Sequence, residues 1–164
     1  MEAMDLAKRI FEIKSVLEKS EGVALYESQE WGFEPWLKVE LCGILNRSGN
    51  VAQEVYEEVD DGKKKIDIVF NDDEWAISLK DRKKKTKSVL KNLDELKNPP
   101  YSYNKYKKTC LIFLTFPPFK KEANLDENIE IALKKTDRMY KKDFDFMPFN
   151  FKNNNPGRIW FVVG

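Results

Sequence analysis

The stretch Lys64–Lys80, KKIDIVFNDDEWAISLK, decides the fold. Its two apolar halves, Lys65 to Phe70 and Glu74 to Lys80, flank the turn residues Asn71-Asp72-Asp73, which predicts two antiparallel strands. Side chains alternate faces along a strand. In the first strand Ile66, Ile68 and Phe70 are expected on one face, with Asp67 and Val69 on the other. In the second, Trp75, Ile77 and Leu79 share a face opposite Ala76, Ser78 and Lys80. An aspartate inside so apolar a strand is costly unless it is paired, hydrogen-bonded or bound to metal. Asp67 and the Ser78/Lys80 pair lie on neighbouring strands and can face the same side.

Working upstream, Val51 to Val59 alternates and Asp60-Asp61-Gly62 turns, which makes the region a three-stranded meander. Before it, a helix is predicted from about Pro35 to Leu45, with the apolar stripe Leu37, Leu41, Ile44 and Leu45. Glu40 flanks that stripe, three residues after Leu37 and four before Ile44. This spacing points its carboxylate toward the core edge. A first helix, Asp5 to Lys19, carries Leu6, Ile10, Ile13 and Leu17 at helical steps. Downstream, Lys83-Lys84-Lys85-Thr86-Lys87 leads into a helix with Val89, Leu90, Leu93 and Leu96 on one side, and Pro99-Pro100 stops it. Thr109 to Phe116 is almost wholly apolar, as in a strand buried on both faces. A helix over about Leu125 to Tyr140, with Ile129, Ala132, Leu133 and Thr136 in step, follows. A loop rich in Asn and Phe then turns at Pro156-Gly157 into a last strand, Ile159 to Val163.

A hairpin meander followed by a helical crossover to a buried strand predicts an α/β fold, a mixed sheet with helices on both faces. Residues 1–164 read as one domain, with an N-terminal helical extension over 1–34 and a core over 35–164. The chain stops in or just after a strand, as a fragment of a longer protein would.

The totals exclude several classes. With 29 basic against 28 acidic residues the net charge is +1, so any case for nucleic acid must rest on where charges cluster. There is no histidine, which removes His-based triads, bases and metal sites. Cys42 and Cys110 sit in apolar surroundings and read as buried, reduced thiols. No apolar run reaches the roughly 20 residues of a membrane span, and the charged N-terminus is unlike a signal peptide. The expected location is the cytoplasm, with no membrane partner.

Glu40 in LKVEL, Asp67 in KKIDIVF and Lys80 in EWAISLK follow one another on helix, strand and strand. This order resembles the PD-(D/E)xK nucleases, the restriction-endonuclease-like group, over about Trp36 to Phe116. The resemblance implies a metal-dependent endonuclease of the restriction, repair or defence type. Asp67 and an acid at the position of Ser78 would hold Mg²⁺, or Mn²⁺, and Lys80 would position the attacking water. Glu40 would act behind them or on an additional ion. Ser78 departs from the pattern, since serine is a much poorer ligand for a hard cation than a carboxylate. One branch of the restriction enzymes carries Ser-x-Lys with the acid moved to the following helix. Asp94, fourteen residues after Lys80, is then the candidate ligand, with Glu95 as its substitute. The other reading is that Ser78 marks a site that has lost its metal.

Two function classes follow: the endonuclease, and a catalytically inactive nuclease-fold module that binds nucleic acid or a protein partner. Nucleic acid, DNA before RNA, is the partner implied, and a homodimer or protein partner fits the second class. Lys83, Lys84, Lys85 and Lys87 are the candidate phosphate contacts, with Lys105, Lys107 and Lys108 as a second cluster. Trp31, Phe33 and Trp36 can stack on bases or simply pack. The acidic turns at Asp60-Asp61 and Asp72-Asp73-Glu74 lack Ca²⁺-loop spacing and read as surface turns.

Overall fold

The apolar steps of the N-terminal segment are realised as α1 (Ala3–Ile10), a 3₁₀ turn (Phe11–Ile13) and α2 (Lys14–Lys19). The structure, a computed structural model, describes residues 1–21, 23–24, 34–102, 105–135 and 143–164. Trp31, Phe33, Thr136 and Tyr140 lie outside the described residues. Leu6, Ile10, Ile13 and Leu17 are completely buried in the main core, so the N-terminal helices are an integral layer of the fold. The helix α3 (Glu34–Asn46) packs beside them through Leu37, Leu41 and Leu45.

The meander follows as β1 (Val51–Val59), β2 (Gly62–Phe70) and β3 (Trp75–Arg82). Gly49 lets the turn after α3 press onto the β2–β3 turn. A Cβ there would lie 1.8 Å from Asn71 Oδ1 and 2.9 Å from the Phe70 ring. Next come α4 (Thr86–Glu95), β4 (Lys108–Thr115), α5 (Leu125–Lys134), β5 (Phe144–Asn150) and β6 (Pro156–Val163). The six strands form one mixed sheet in the order β1-β2-β3-β4-β6-β5. Only β3 and β4 are parallel, joined across α4, and the other neighbours are antiparallel.

Strand alternation sorts the core into two layers. Cys110, Ile112 and Leu114 of β4 face α1–α3 together with Ile68, Ile77, Ile159 and Phe161. Leu111 and Phe113 face α4 and α5, where Val89, Leu93, Ile129, Leu133 and Trp160 close over them. Both thiols are free and buried; burial pushes the Cys42 thiol up to about 11 and raises Cys110 as well.

Two expectations are corrected. The Asn- and Phe-rich segment contains β5, an edge strand pairing with β6 from Phe144↔Val162 to Asn150↔Pro156. Pro148 hid it, because proline cannot donate to a ladder, yet an edge strand tolerates it on its open side. Second, Ile66 does not share a face cluster with Ile68 and Phe70. It packs with Val69, Ala76 and Tyr106 in a small separate group. The alternation of β2 breaks at Asp67, and the β2–β3 ladder ends next to it, at Ile68↔Ile77.

Among the described residues, no helix is long and apolar enough to cross a membrane.

Candidate functional site

Where β2 and β3 part, a side chain substitutes for the ladder. The backbone N–H of Leu79 donates to Asp67 Oδ2 at 2.8 Å. Asp67 is only 5% exposed, and an amide donor of this kind satisfies a buried carboxylate well. Its other oxygen, Oδ1, lies 3.8 Å from Lys65 Nζ. On the strand beyond, Lys65 Nζ is also 3.8 Å from Glu54 Oε1, and Lys38 Nζ donates to that same oxygen at 2.8 Å. Lys38, Glu54, Lys65 and Asp67 therefore form a chain of alternating charges from α3 across β1 to β2.

Lys38 is the notable member, because its side chain is buried while that of Glu54 is half exposed. Burial alone would lower the ammonium, but the bond to Glu54 and the charges of Asp67, Glu54 and Glu34 outweigh it and raise the Lys38 value. Glu54 in turn is held below the usual carboxylate range, first by its hydrogen bond from Lys38. Glu54 adopts φ +50° within β1, a left-handed conformation that a non-glycine residue seldom takes without a reason. Here it accompanies the reach of the carboxylate toward Lys38.

Glu34 shares the buried face of α3, one turn before Lys38 and two before Leu41. Desolvation first, then Asp67 and Asp81, push its carboxyl above the usual range, while Lys80 and Lys38 oppose them. Glu34 thus lies in the same electrostatic neighbourhood as Asp67, Lys80 and Asp81. Glu40 does not share that row. It sits about 120° around the helix from Glu34, half exposed.

On β3, Ser78 is buried and Lys80 half-buried. The Ser78 hydroxyl interacts with the Tyr101 phenol, whose value burial drives up strongly, with Asp67 adding to the rise. Pairing of β3 with β4 slips between Leu79 and Arg82, a bulge that places one extra residue in β3. Beyond it Lys83 donates its backbone N–H to Leu114 O at 2.8 Å. Burial and then the charge of Lys80 lower the Lys83 ammonium, against Glu95, Asp81 and Glu34.

The structure therefore brings together Asp67, Ser78, Lys80 and Lys83. Asp94 is not drawn in: it is half-buried on α4, 3.9 Å from Lys97 in an i,i+3 pair. Glu95 lies nearer through its influence on Lys83, and it accepts from Asn92 Nδ2 at 3.1 Å. Lys84, Lys85 and Lys87 are exposed at the entrance to α4. The second basic cluster is partly spent on ion pairs. Lys105 Nζ lies 2.9 Å from Glu57 and 3.9 Å from Asp73, and Lys108 Nζ lies 3.6 Å from Glu2. Trp36 packs at the edge of the main core.

The fit to a divalent cation is poor. Asp67 Oδ2 is committed to an amide, Ser78 offers only a hydroxyl, and Asp94 faces elsewhere. Among the described residues no group of three or more Asp, Glu, Cys or His side chains is arranged to hold a metal. Lys38 and Lys65 are matched by Glu54 and Asp67, which leaves Lys80 and Lys83 at that end of β2 and β3 as the cations that an anion could meet.

Glu34, Lys38, Glu54 and Tyr101 were not candidates from sequence. Glu34 and Lys38 carry a signal: they are four residues apart, and each lies seven residues before a stripe leucine, Leu41 and Leu45. Glu54 and Tyr101 reach the site only through tertiary structure.

Comparison with known proteins gave no match: no family model, no characterised protein and no solved structure is detectably similar to this chain.

Proposed function

We propose that this chain is a nucleic-acid-binding module of the PD-(D/E)xK type whose cleavage centre is degenerate. The observation that carries the reading is Ser78. It occupies the expected acid position two residues before Lys80, buried and engaged with Tyr101, beside an Asp67 bonded to the Leu79 amide. Such a site keeps Lys80 and Lys83 for phosphate oxygens, and Ser78 supplies no carboxylate to join Asp67 on a hard cation.

A metal-dependent endonuclease is the second reading, and one observation favours it. Glu34 is held up first by burial and then by the charges of Asp67 and Asp81, and a divalent cation would relieve the second of these causes.

Purified protein with labelled single- and double-stranded DNA and RNA separates the two. The binding module should retain oligonucleotide in EDTA and cut none of it with Mg²⁺ or Mn²⁺. A Ser78→Glu variant should then gain heat of divalent binding by calorimetry. Cleavage by the wild-type chain, lost in Lys80→Ala with affinity unchanged, would instead establish the nuclease.

A further inference from the structure

Two basic runs far apart in sequence meet at the surface beyond β3. A cavity of about 170 Å³ is lined by Arg82, Lys83, Lys84, Phe119, Lys120 and Lys121, together with Pro118. Five of these residues are cations, and no acidic side chain is among them. In a chain of net charge +1, so local a concentration is not a composition effect.

The runs are fixed to one another. Arg82 Nη2 donates to Pro118 O at 2.7 Å, and its guanidinium lies 4.3 Å over the Phe116 ring. Across the gap, Glu122 accepts from the Thr86 backbone N–H at 3.1 Å and from the Thr86 hydroxyl, and Asn128 Nδ2 donates to it at 3.0 Å. Glu122, the acid that follows Lys121, is thereby turned onto the first turn of α4 and is not part of the cavity lining. Phe119 supplies an apolar wall and also packs on the second core layer. Such a cavity is below the usual volume for a whole small-molecule ligand, and its size suits one compact anionic group.

We propose that this cavity is a phosphate subsite for a nucleic-acid strand, set beside the Asp67–Lys80 end of the sheet. Lys83 links the two places, lining the cavity while feeling the charges of Lys80 and Asp81. A strand crossing from one to the other meets Lys80, Lys83 and then Lys84, Lys120 and Lys121. The proposal rests on the nucleic-acid-binding reading above, and it adds Lys120 and Lys121 to the contacts the sequence suggested.

The test compares a Lys120→Ala/Lys121→Ala variant with Lys63→Ala/Lys64→Ala, an equal charge loss at the exposed end of the β1–β2 hairpin. Binding of a fluorescent oligonucleotide is titrated over a range of salt. The cavity variant should lose about tenfold or more in affinity and lower the salt slope by roughly two, one per lysine. The hairpin variant should change affinity less than about twofold. Equal losses in both variants, or none in the cavity variant, would overturn the subsite while leaving the module reading in place. A wild-type chain that holds no oligonucleotide even at low salt would overturn both.

Discussion

Two carboxylates, the buried Asp67 and the half-buried Asp126, sit in contrasting surroundings. Asp126 on α5 accepts from the Thr115 hydroxyl at 2.7 Å, and Trp160 Nε1 donates to that hydroxyl at 2.9 Å. Arg158 Nε lies 3.4 Å from its second oxygen, and the guanidinium also bonds Glu130 at 2.8 Å and stacks on Phe146. Thr115, Arg158 and Trp160 stand in an unbroken β4–β6 ladder. Asp67 lies where a ladder ends, bonded to an amide and 3.8 Å from an exposed lysine. In the first network each polar group is matched within the fold, although Thr115, Asp126 and Arg158 also line a surface pocket of about 440 Å³. The second is open, with buried Lys38 paired to a half-exposed glutamate of strained backbone and Lys80 close by. A network whose charges are matched stabilises; one with spare charge is what a ligand can complete.

This contrast can be broken by substitution. The largest stability loss is expected for Asp67→Ala, about 3 kcal/mol, because the Leu79 amide is left buried without its acceptor and Lys38 and Lys65 lose a counter-charge. Asp67→Asn keeps an acceptor and should cost about 1 kcal/mol, while binding DNA more tightly because a negative charge is gone. Urea unfolding and oligonucleotide titration measure the two effects. Thr115→Val should cost about 2 kcal/mol by opening the Asp126 network, and leave affinity for DNA unchanged. Equal effects of Thr115→Val and Asp67→Asn on binding would erase the distinction between the two sites.

Smaller effects sharpen it. Lys38→Met removes a buried ammonium whose partner is half exposed, so stability should move by about 1 kcal/mol or less, with weaker DNA binding. The smallest effect belongs to Glu34→Gln. The folded-state value of Glu34 is raised above 4.5, so the folded chain binds more protons and wild-type stability falls as pH rises through that window. The variant lacks this fall. It should gain about 0.5 kcal/mol or less over wild type above the window and nothing below it, read from unfolding midpoints across pH.

Much of this was legible in the chain. The meander, the buried β4 and the apolar faces of α1, α3 and α4 follow from period and turn residues, because their side chains have one environment each. The α/β class followed with them. β5 was missed because Pro148 argues against a strand unless the strand is known to be an edge, and edge position is a property of the assembled sheet. At the site, Asp67, Ser78 and Lys80 were legible because an aspartate and a lysine interrupt apolar strands. Glu34 escapes the sequence reading because the predicted helix starts at about Pro35, whereas Glu40 lies inside it. Lys120-Lys121 gave no signal, as a pair of surface lysines has no meaning until the Arg82–Lys84 run faces it.

By itself the sequence determined five of the six strands, the two faces of β3 and the anomaly of Ser78 before Lys80, since these depend on neighbours two to four residues away. Tertiary structure decided that Asp67 would bond the Leu79 amide, that Asp94 would face Lys97, and that Lys38 and Glu54 would meet across sixteen residues. Those outcomes turn on where strands stop pairing and how far a helix is rotated. Both are fixed by the packing of the whole core, which no local pattern encodes.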